Sequence, residues 1–458
     1  MRKSTRFVDI IPFGAIALIK ELNDFGYEAY LVGGCVRDLL LKLEPNDWDI
    51  CTDAKPNDII RVIKHAGYKY HTVGIEYGTV TAIIGDMEYE ITTYRADGNY
   101  SDGRHPDAVD FVRNLIEDLK RRDLDINAMA YDPLEDIIVD EFNGQESLNN
   151  KVIRAVGNPE DRIIEDPLRI LRILRLAVKL GFEIESELLI QIKKHKDLLN
   201  NISKERITAE IIKLFNCGKS VETILYDCRD ILAVVIPELE KTFDFEQNNK
   251  YHRHDVFVHT LKVVDACRTN KFEIKLAALL HDIGKPDKYT VDDNGWGHFY
   301  GHPEVSYEIS KDVLSKRLRL TTEQSERVLN LVKYHDMHIA CTKASVKRAL
   351  NKHGVDMLND WFILKQADMD DHIYPDKSWK YYMDIPKIKE LIQEILDEQA
   401  CFSLKHLAVN GKDIMDLLSI KPGKQVGEIL KALLDEVIDE TLINDKVVLL
   451  GRAVELFK

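Results

Sequence analysis

Short apolar runs of strand length alternate with helix-forming stretches through the first 145 residues: LVGG from Leu31, TVTAII from Thr79, EYEITTY from Glu88 and IIVDEF from Ile137. That order predicts an α/β layer. Within MEYEITTYR the alternation assigns faces, with Glu88, Glu90 and Thr92 on one side and Tyr89 and Ile91 on the other. From about 146 to 245, and again from 376 onward, the pattern changes to amphipathic helices such as Glu187 to His195 and Gly427 to Ile438. The stretch EDPLRILRILRLAVKLGF predicts a helix with Asp166 as N-cap, Pro167 in the first position and Gly181 as its stop. KRRDLDINAMA, from Lys120 to Ala130, also reads as helical, placing Asp123 and Asn127 on one face.

A chain of 458 residues with 45% hydrophobic content is too long for one core. The changes of pattern divide it into a head (1–145), a helical neck and body (146–245), a histidine-rich region (246–375) and a helical tail (376–458). Ten of the 15 histidines fall between His252 and His372, which points to a metal-site region. Seven scattered cysteines without a C-x-x-C pair read as reduced thiols, with no zinc knuckle. The absence of an apolar stretch of 18 residues and of a leader argues for a cytoplasmic protein with no membrane partner. A net charge of −15 opposes indiscriminate nucleic-acid binding, so any RNA must meet a local basic patch. Arg169, Arg172, Arg175 and Lys179, spaced by three, three and four residues, offer one on a single helical face.

Chemistry enters at LVGGCVRDLLLKLEPNDWDI. With Trp48-Asp49-Ile50 on a strand, Asp47 and Asp49 point to the same face and can share two divalent ions. A pair of Mg2+ ions suits in-line attack on a nucleoside triphosphate. Gly33 and Gly34 let backbone N–H groups approach phosphate, a following helix (Val36 to Leu41) directs its N-terminus at the anion, and Arg37 becomes a phosphate clamp. Glu90 is the candidate third acid, with a solvent-facing carboxylate or a prop for Arg95 as the alternative. The Gly-, Asp- and Asn-rich stretch from Thr93 to Phe111 looks like a mobile loop over the site. Arg121 and Arg122 suit a triphosphate, while Asp123 and Asn127 could hydrogen-bond a ribose edge.

Gly33-Gly34-x-Val36-Arg37-Asp38, Asp47-x-Asp49, the Arg121-Arg122-Asp123 to Asn127-Ala128 segment and Glu165-Asp166-Pro167-Leu168-Arg169 together resemble the class II tRNA nucleotidyltransferases. The likeness covers roughly residues 25 to 215, and LAVNGKDIMDLLSIKPGKQVGEIL from Leu407 is similar to the tail of bacterial members. It implies a polymerase β-like head of mixed sheet and helices, followed by a helical neck, body and tail. It also implies Mg2+ at Asp47 and Asp49, and addition of CCA to a tRNA 3′ end from CTP and ATP, with no DNA partner. By the same resemblance Asp166 and Arg169 select the incoming base, and Arg172 and Arg175 join the nucleotide-binding set. The physics agrees: a carboxylate accepts from the exocyclic amine of C or A while a guanidinium donates to the adjacent ring nitrogen, and U and G set like against like. Two departures stand out. Leu124-Asp125 occupies the place of Phe-Thr, and His105 that of an Arg before the loop proline. Runner-up activities within the class are addition of A alone, of CC alone or of poly(A); retention of the loop after Tyr94 argues against the CC form.

His259, His281-Asp282, His302, His335 and Asp368 resemble, in order, the ligands of HD-type metal-dependent phosphohydrolases. That likeness implies a helical domain binding a divalent transition metal or Mg2+, with Lys285 steadying a phosphate and a 2′,3′-cyclic phosphate or 3′-phosphate end as substrate. A different class, a regulatory protein uridylyltransferase that also removes its tag, shares the head and HD combination. The Asp166/Arg169 pair, the Arg121-Arg122-Asp123 segment and the lack of a visible ligand-sensing repeat after the HD region speak against it.

Overall fold

The computed structural model describes residues 7, 9–97, 109–373 and 379–457, and divides the chain into two compact units, Met1–Pro237 and Glu238–Lys458.

In the first unit the strands are β1 (Ala29–Val32), β2 (Ile50–Thr52), β3 (Lys69–His71), β4 (Thr79–Ile84), β5 (Met87–Thr93), β6 (Arg95–Asp97), β7 (Val109–Phe111), β8 (Ala130–Asp132) and β9 (Ile137–Val139). Seven of them form a mixed sheet in the order β3-β4-β5-β2-β1-β8-β9, and β6 pairs with β7. Every neighbouring pair in the large sheet is antiparallel except β2 with β5, where Ile50 lies opposite Ile91. Along β5, Tyr89, Ile91 and Thr93 are buried while Glu88 and Glu90 are exposed, as the alternation requires.

Residues 120–130 do not form the expected helix. Helix Leu115–Lys120 ends there, a 3-10 turn spans Asp125–Asn127, and β8 begins at Ala130. Leu124, Ile126, Ala128, Met129 and Ala130 are all buried, so apolar residues face the core on more than one side of the segment. Pairing of β8 with β1 between Val32 and Ala130 overrides local helix propensity. Helix Arg169–Leu180 starts later than expected, and Gly181 ends it at φ 68°. Asp166 terminates the preceding helix, Pro159–Glu165; its Oδ1 accepts the N–H of Leu168 at 3.1 Å.

The second unit is helical apart from a small hairpin, Thr290–Val291 with Gly297–His298. Helices Val256–Ala266, Phe272–Leu280, His302–Lys316, Thr322–Tyr334 and Lys343–Asp370 build its first half. Gly284 sits where a Cβ would meet the Ser306 backbone nitrogen at 2.6 Å, and its own N–H donates to Ser306 Oγ at 3.0 Å. Only glycine allows this approach, which sets His281-Asp282 against the start of helix His302–Lys316. The tail helices Gly411–Leu418, Lys424–Ile438 and Lys446–Phe457 share a core of Ile414, Leu433, Ile438, Leu449 and Ala453. Among the described residues no helix is long and apolar enough to cross a membrane, and the seven cysteines are free thiols.

Candidate functional site

In the head, buried Trp48 anchors the segment before β2, with exposed Asp47 and half-buried Asp49 on either side of it. Both acids lie just outside the strand, but the Asp49 carbonyl accepts the Val32 N–H at 3.0 Å and so extends the sheet. The parallel register of β2 with β5 brings Glu90, one residue before Ile91, beside Asp49, one before Ile50. Burial together with the charges of Asp47 and Glu90 pushes the Asp49 carboxyl up to about 6, against the opposing pull of Arg122. Carboxylates are fitting donors for hard divalent ions, and Asp47 and Glu90 lie near enough to Asp49 to act on its charge.

Gly33 closes the cluster. Its φ is 83°, and a Cβ there would lie 3.1 Å from Arg122 Nη1 and 3.9 Å from Asp49 Oδ2. Helix Gly34–Leu40 follows directly. Arg122 and Arg121 share the buried carboxylate of Asp118: Arg121 Nη2 donates at 2.7 Å and Arg122 Nη2 at 3.3 Å, while Arg122 Nε has no hydrogen-bond partner. Asp118 went unnoticed in the sequence because an i,i+3 and i,i+4 pair resembles ordinary helix decoration.

Arg37 lies at the glycine turn, with Nη2 3.5 Å from where a Cβ on Gly34 would stand. It is buried, pairs with Asp38 at 2.7 Å and donates to Asn127 Oδ1 at 2.7 Å, which makes it an internal strut. Asn127 Nδ2 donates in turn to Asp123 Oδ1 at 3.2 Å. Asp123 and Asn127 therefore meet, across a turn where a helix face was expected.

The cationic helix face does not stand open to solvent. Arg169 Nη1 donates to Glu165 Oε2 at 2.6 Å, Arg172 Nη2 to Asp123 Oδ2 at 2.7 Å, Arg175 Nε to Glu210 Oε2 at 2.6 Å and Lys179 Nζ to Asp38 Oδ2 at 3.2 Å. Burial raises the Asp123 carboxyl, but Arg172 and Arg169 outweigh it and hold it below the usual range. Asp166 Oδ2 accepts from Arg206 Nη2 at 2.8 Å. The pair expected from sequence to select the base thus contacts Glu165, which the motif included without a role, and Arg206, which the sequence reading did not name. The segment 98–108, with His105, lies outside the described residues.

In the second unit all six expected ligand-type residues converge, delivered by helix ends. His259 Nε2 lies 3.3 Å from Asp368 Oδ1, His281 Nε2 lies 3.2 Å from Asp282 Oδ2, and His302 Nε2 lies 3.2 Å from Asp282 Oδ1. His335 Nε2 is 3.7 Å from Asp282 Oδ1, so Asp282 is the shared member of the cluster. The Nδ1 atoms of His281, His302 and His335 sit 2.7–2.8 Å from the carbonyls of Ala278, Phe299 and Val332. Donation there leaves each Nε2 lone pair aimed inward, the usual orientation of a metal ligand. His302 Nε2 and His335 Nε2 lie 3.0 Å apart, and burial, with the neighbouring His281 and His302, pushes His335 down to about 3. Imidazole nitrogens held this close beside Asp282 form a donor set that fits a metal.

Three further residues belong here that the sequence reading passed over. His252 and His372 form a ligand group with His259, and Asp371 Oδ2 meets His259 Nδ1 at 2.8 Å. Burial opposes charge on His259, yet Asp368 and Asp371 raise it to about 9. The histidine enrichment included His252 and His372, and the i,i+4 spacing of Asp368 and His372 was the available signal. Lys285 is buried against Asp282, with Nζ 2.6 Å from Oδ2, and donates to Gln247 Oε1 at 2.8 Å. A cavity of about 770 Å3 opens onto Asp282, His302, His335 and Asp368.

Comparison with known proteins follows this division. The sequence matches the Poly A polymerase head domain over residues 29–154, the family described as the probable RNA and SrmB-binding site of polymerase A over 181–243, the HD domain over 251–368 and the family described as putative tRNA nucleotidyltransferase domain 2 over 313–453. It is 32% identical to the CCA-adding enzyme of Ligilactobacillus salivarius across 97% of this chain and 96% of that one. It is also 32% identical to that of Enterococcus faecalis across 96% and 95%. The crystal structure of the Bacillus stearothermophilus CCA-adding enzyme in complex with CTP is similar with a TM-score of 0.67 at 25% identity, covering 96% of each chain.

Proposed function

This chain belongs to the CCA-adding enzymes, class II tRNA nucleotidyltransferases, here with an HD domain, and from that membership we propose that it adds C, C and A to the 3′ end of tRNA from CTP and ATP. The observation that supports the reading is Asp49 beside Gly33 and Arg122, with Asp47 and Glu90 near enough for their charges to raise its carboxyl. Asp47 and Asp49 would hold Mg2+, whose chemistry when bound is to acidify the primer hydroxyl and neutralise the leaving pyrophosphate. Arg122, with Nη1 against the open face of Gly33, supplies positive charge for the triphosphate. Gly33 keeps the approach to Asp49 clear of a side chain. Glu165 fixes Arg169 and Arg206 fixes Asp166, so the two base-reading groups are oriented before a nucleotide arrives. Buried polar groups left unpaired by U or G cost about 1–3 kcal/mol each, enough to choose without a template strand.

The test is mass analysis of a tRNA transcript lacking its 3′ end after incubation with all four nucleotides. A product heavier by two C and one A supports the reading, whereas addition of A alone or of an A run supports the alternative within the family. An unchanged transcript sinks it.

For the second unit we infer a phosphohydrolase that opens a 2′,3′-cyclic phosphate at its P–O3′ bond, leaving a 2′-phosphate and a free 3′-hydroxyl, or removes a 3′-phosphate, so restoring the hydroxyl the head needs. His259, His281, Asp282, His302, His335 and Asp368 would hold the divalent ion, whose contribution when bound is to acidify water and polarise the phosphate. The Nε2 atoms of His302 and His335, 3.0 Å apart with each Nδ1 against a backbone carbonyl, are the supporting observation.

A further inference from the structure

The HD cavity has a rim that its metal ligands do not account for. Trp296 is 46% exposed and Tyr300 is 79% exposed, and both line the same cavity as Asp282, His302 and Asp368. Solvent-facing aromatics of this size contribute little to a core, and two of them beside a ligand cluster need another reason.

Neither ring is left to chance by the backbone. Trp296 sits in the hairpin turn between Thr290–Val291 and Gly297–His298. Asp292 Oδ1 accepts the N–H groups of Asn294 and Trp296, each at 2.9 Å, and Asp292 Oδ2 lies 3.1 Å from His298 Nε2. The Asp292 N–H returns to the Trp296 carbonyl at 2.9 Å, so the turn is closed from both sides. Tyr300 stacks on His298 with ring centroids 5.2 Å apart and planes 8° from parallel. The hairpin is also tied to the chemistry. The Gly297 N–H donates to the Asn248 carbonyl at 2.9 Å, the neighbouring Gln247 accepts from Lys285, and Lys285 pairs with Asp282. A short line of contacts thus fixes the aromatic rim relative to the central aspartate.

We propose that Trp296 and Tyr300 form a nucleobase platform, so that the HD site takes a nucleoside phosphate ester and discriminates against a phosphate ester without a base. This deepens the hydrolase reading above and rests on it. The volume of about 770 Å3 lies within the usual span for small-molecule sites, roughly 300–1,000 Å3. Aromatic faces accept any base, which suits a site meeting RNA ends of varied sequence.

The experiment uses the full chain, metal-stripped and reloaded with Mn2+, Ni2+, Mg2+ or Zn2+. Hydrolysis of cytidine 2′,3′-cyclic phosphate and of base-free glycerol 1,2-cyclic phosphate is compared for wild type, Trp296→Ala and Trp296→Phe. Calorimetric binding of cytidine 2′-phosphate is measured in parallel. The alanine variant should raise KM for the cytidine ester by about tenfold, as loss of one stacked base predicts, and narrow its preference over the glycerol ester; phenylalanine should restore most of it. Binding should weaken by a similar factor in the alanine variant alone, and this arm reads the platform without turnover. Equal KM shifts on both esters, or cytidine 2′-phosphate binding that the alanine variant leaves intact, overturn the platform while sparing the hydrolase. Wild-type binding of the nucleotide that needs Trp296, without hydrolysis under any metal, supports the platform and overturns the hydrolase.

Discussion

Arg169 Nη1 donates to Glu165 Oε2 at 2.6 Å and to the Arg162 carbonyl at 2.8 Å, while the neighbouring acid, Asp166, turns to Arg206. Adjacent carboxylates at 165 and 166 therefore have different tasks. Glu165 holds the Arg169 guanidinium, and Asp166 accepts from Arg206 and the Leu168 N–H. Glu165→Gln should lower the preference for CTP over UTP by about tenfold, since a neutral amide holds Arg169 less firmly. The kcat/KM ratio for the two nucleotides measures it. Unchanged discrimination alongside a lower melting temperature would leave Glu165 with a purely structural part.

Asp47→Ala and Asp49→Ala should each reduce nucleotide addition by a factor on the order of a thousand or more, because neither carboxylate can replace the other around two ions. Hydrolysis of a cyclic phosphate by the same variants should persist. Near-normal addition by either variant would remove that residue from the ion site.

His281→Ala and Asp282→Ala should do the reverse. The two ligand sets share no residue, so addition to an intact primer stays near wild type while metal-dependent hydrolysis is lost. A cyclic-phosphate nucleotide assay across several divalent ions is the measurement. Hydrolysis that survives both substitutions contradicts the assignment.

Asp38 joins two cations, Arg37 at 2.7 Å and Lys179 at 3.2 Å, and the side chains of Arg37 and Asp38 are only 6% and 5% exposed. Removing the carboxylate strands a buried guanidinium. Asp38→Ala should cost about 3–5 kcal/mol and lower the melting temperature by on the order of 10 °C. Asp38→Asn should fall between the two. A melting temperature equal to that of wild type would show that water or Asn127 takes over the Arg37 charge.

Burial pushes the Asp125 carboxyl up to about 7, against opposing hydrogen bonds from Ser147 and the Ile126 N–H. The folded value lies above the unfolded one of about 3.9, so the folded chain holds this proton more tightly, and the associated stability is lost as pH rises through about 7. Asp125→Asn should consequently gain stability over wild type at roughly pH 8, by up to a few kcal/mol, and show little difference near pH 4. Urea unfolding at both values decides it. A constant difference across the range would mean that Asp125 titrates normally.

What the sequence determined by itself is what depends on near neighbours. The face of β5 that carries Glu90 follows from period-two alternation, and Gly181 stops a helix because it accepts positive φ. The HD ligand types were legible as chemistry, with His281-Asp282 adjacent in the chain. Tertiary structure decided the partners of the charges. Arg172 finds Asp123 across 49 residues, Arg175 finds Glu210 across 35 and Lys179 finds Asp38 across 141, so a face that reads as cationic in one dimension is neutralised in three. It also decided residues 121–130, where pairing with β1 and burial of Leu124, Ile126 and Ala128 overrode helix propensity. Local propensity differs between conformations by less than about 1 kcal/mol per residue, and burial of an apolar side chain by about 1.5–3 kcal/mol, so wherever the two disagree the core prevails.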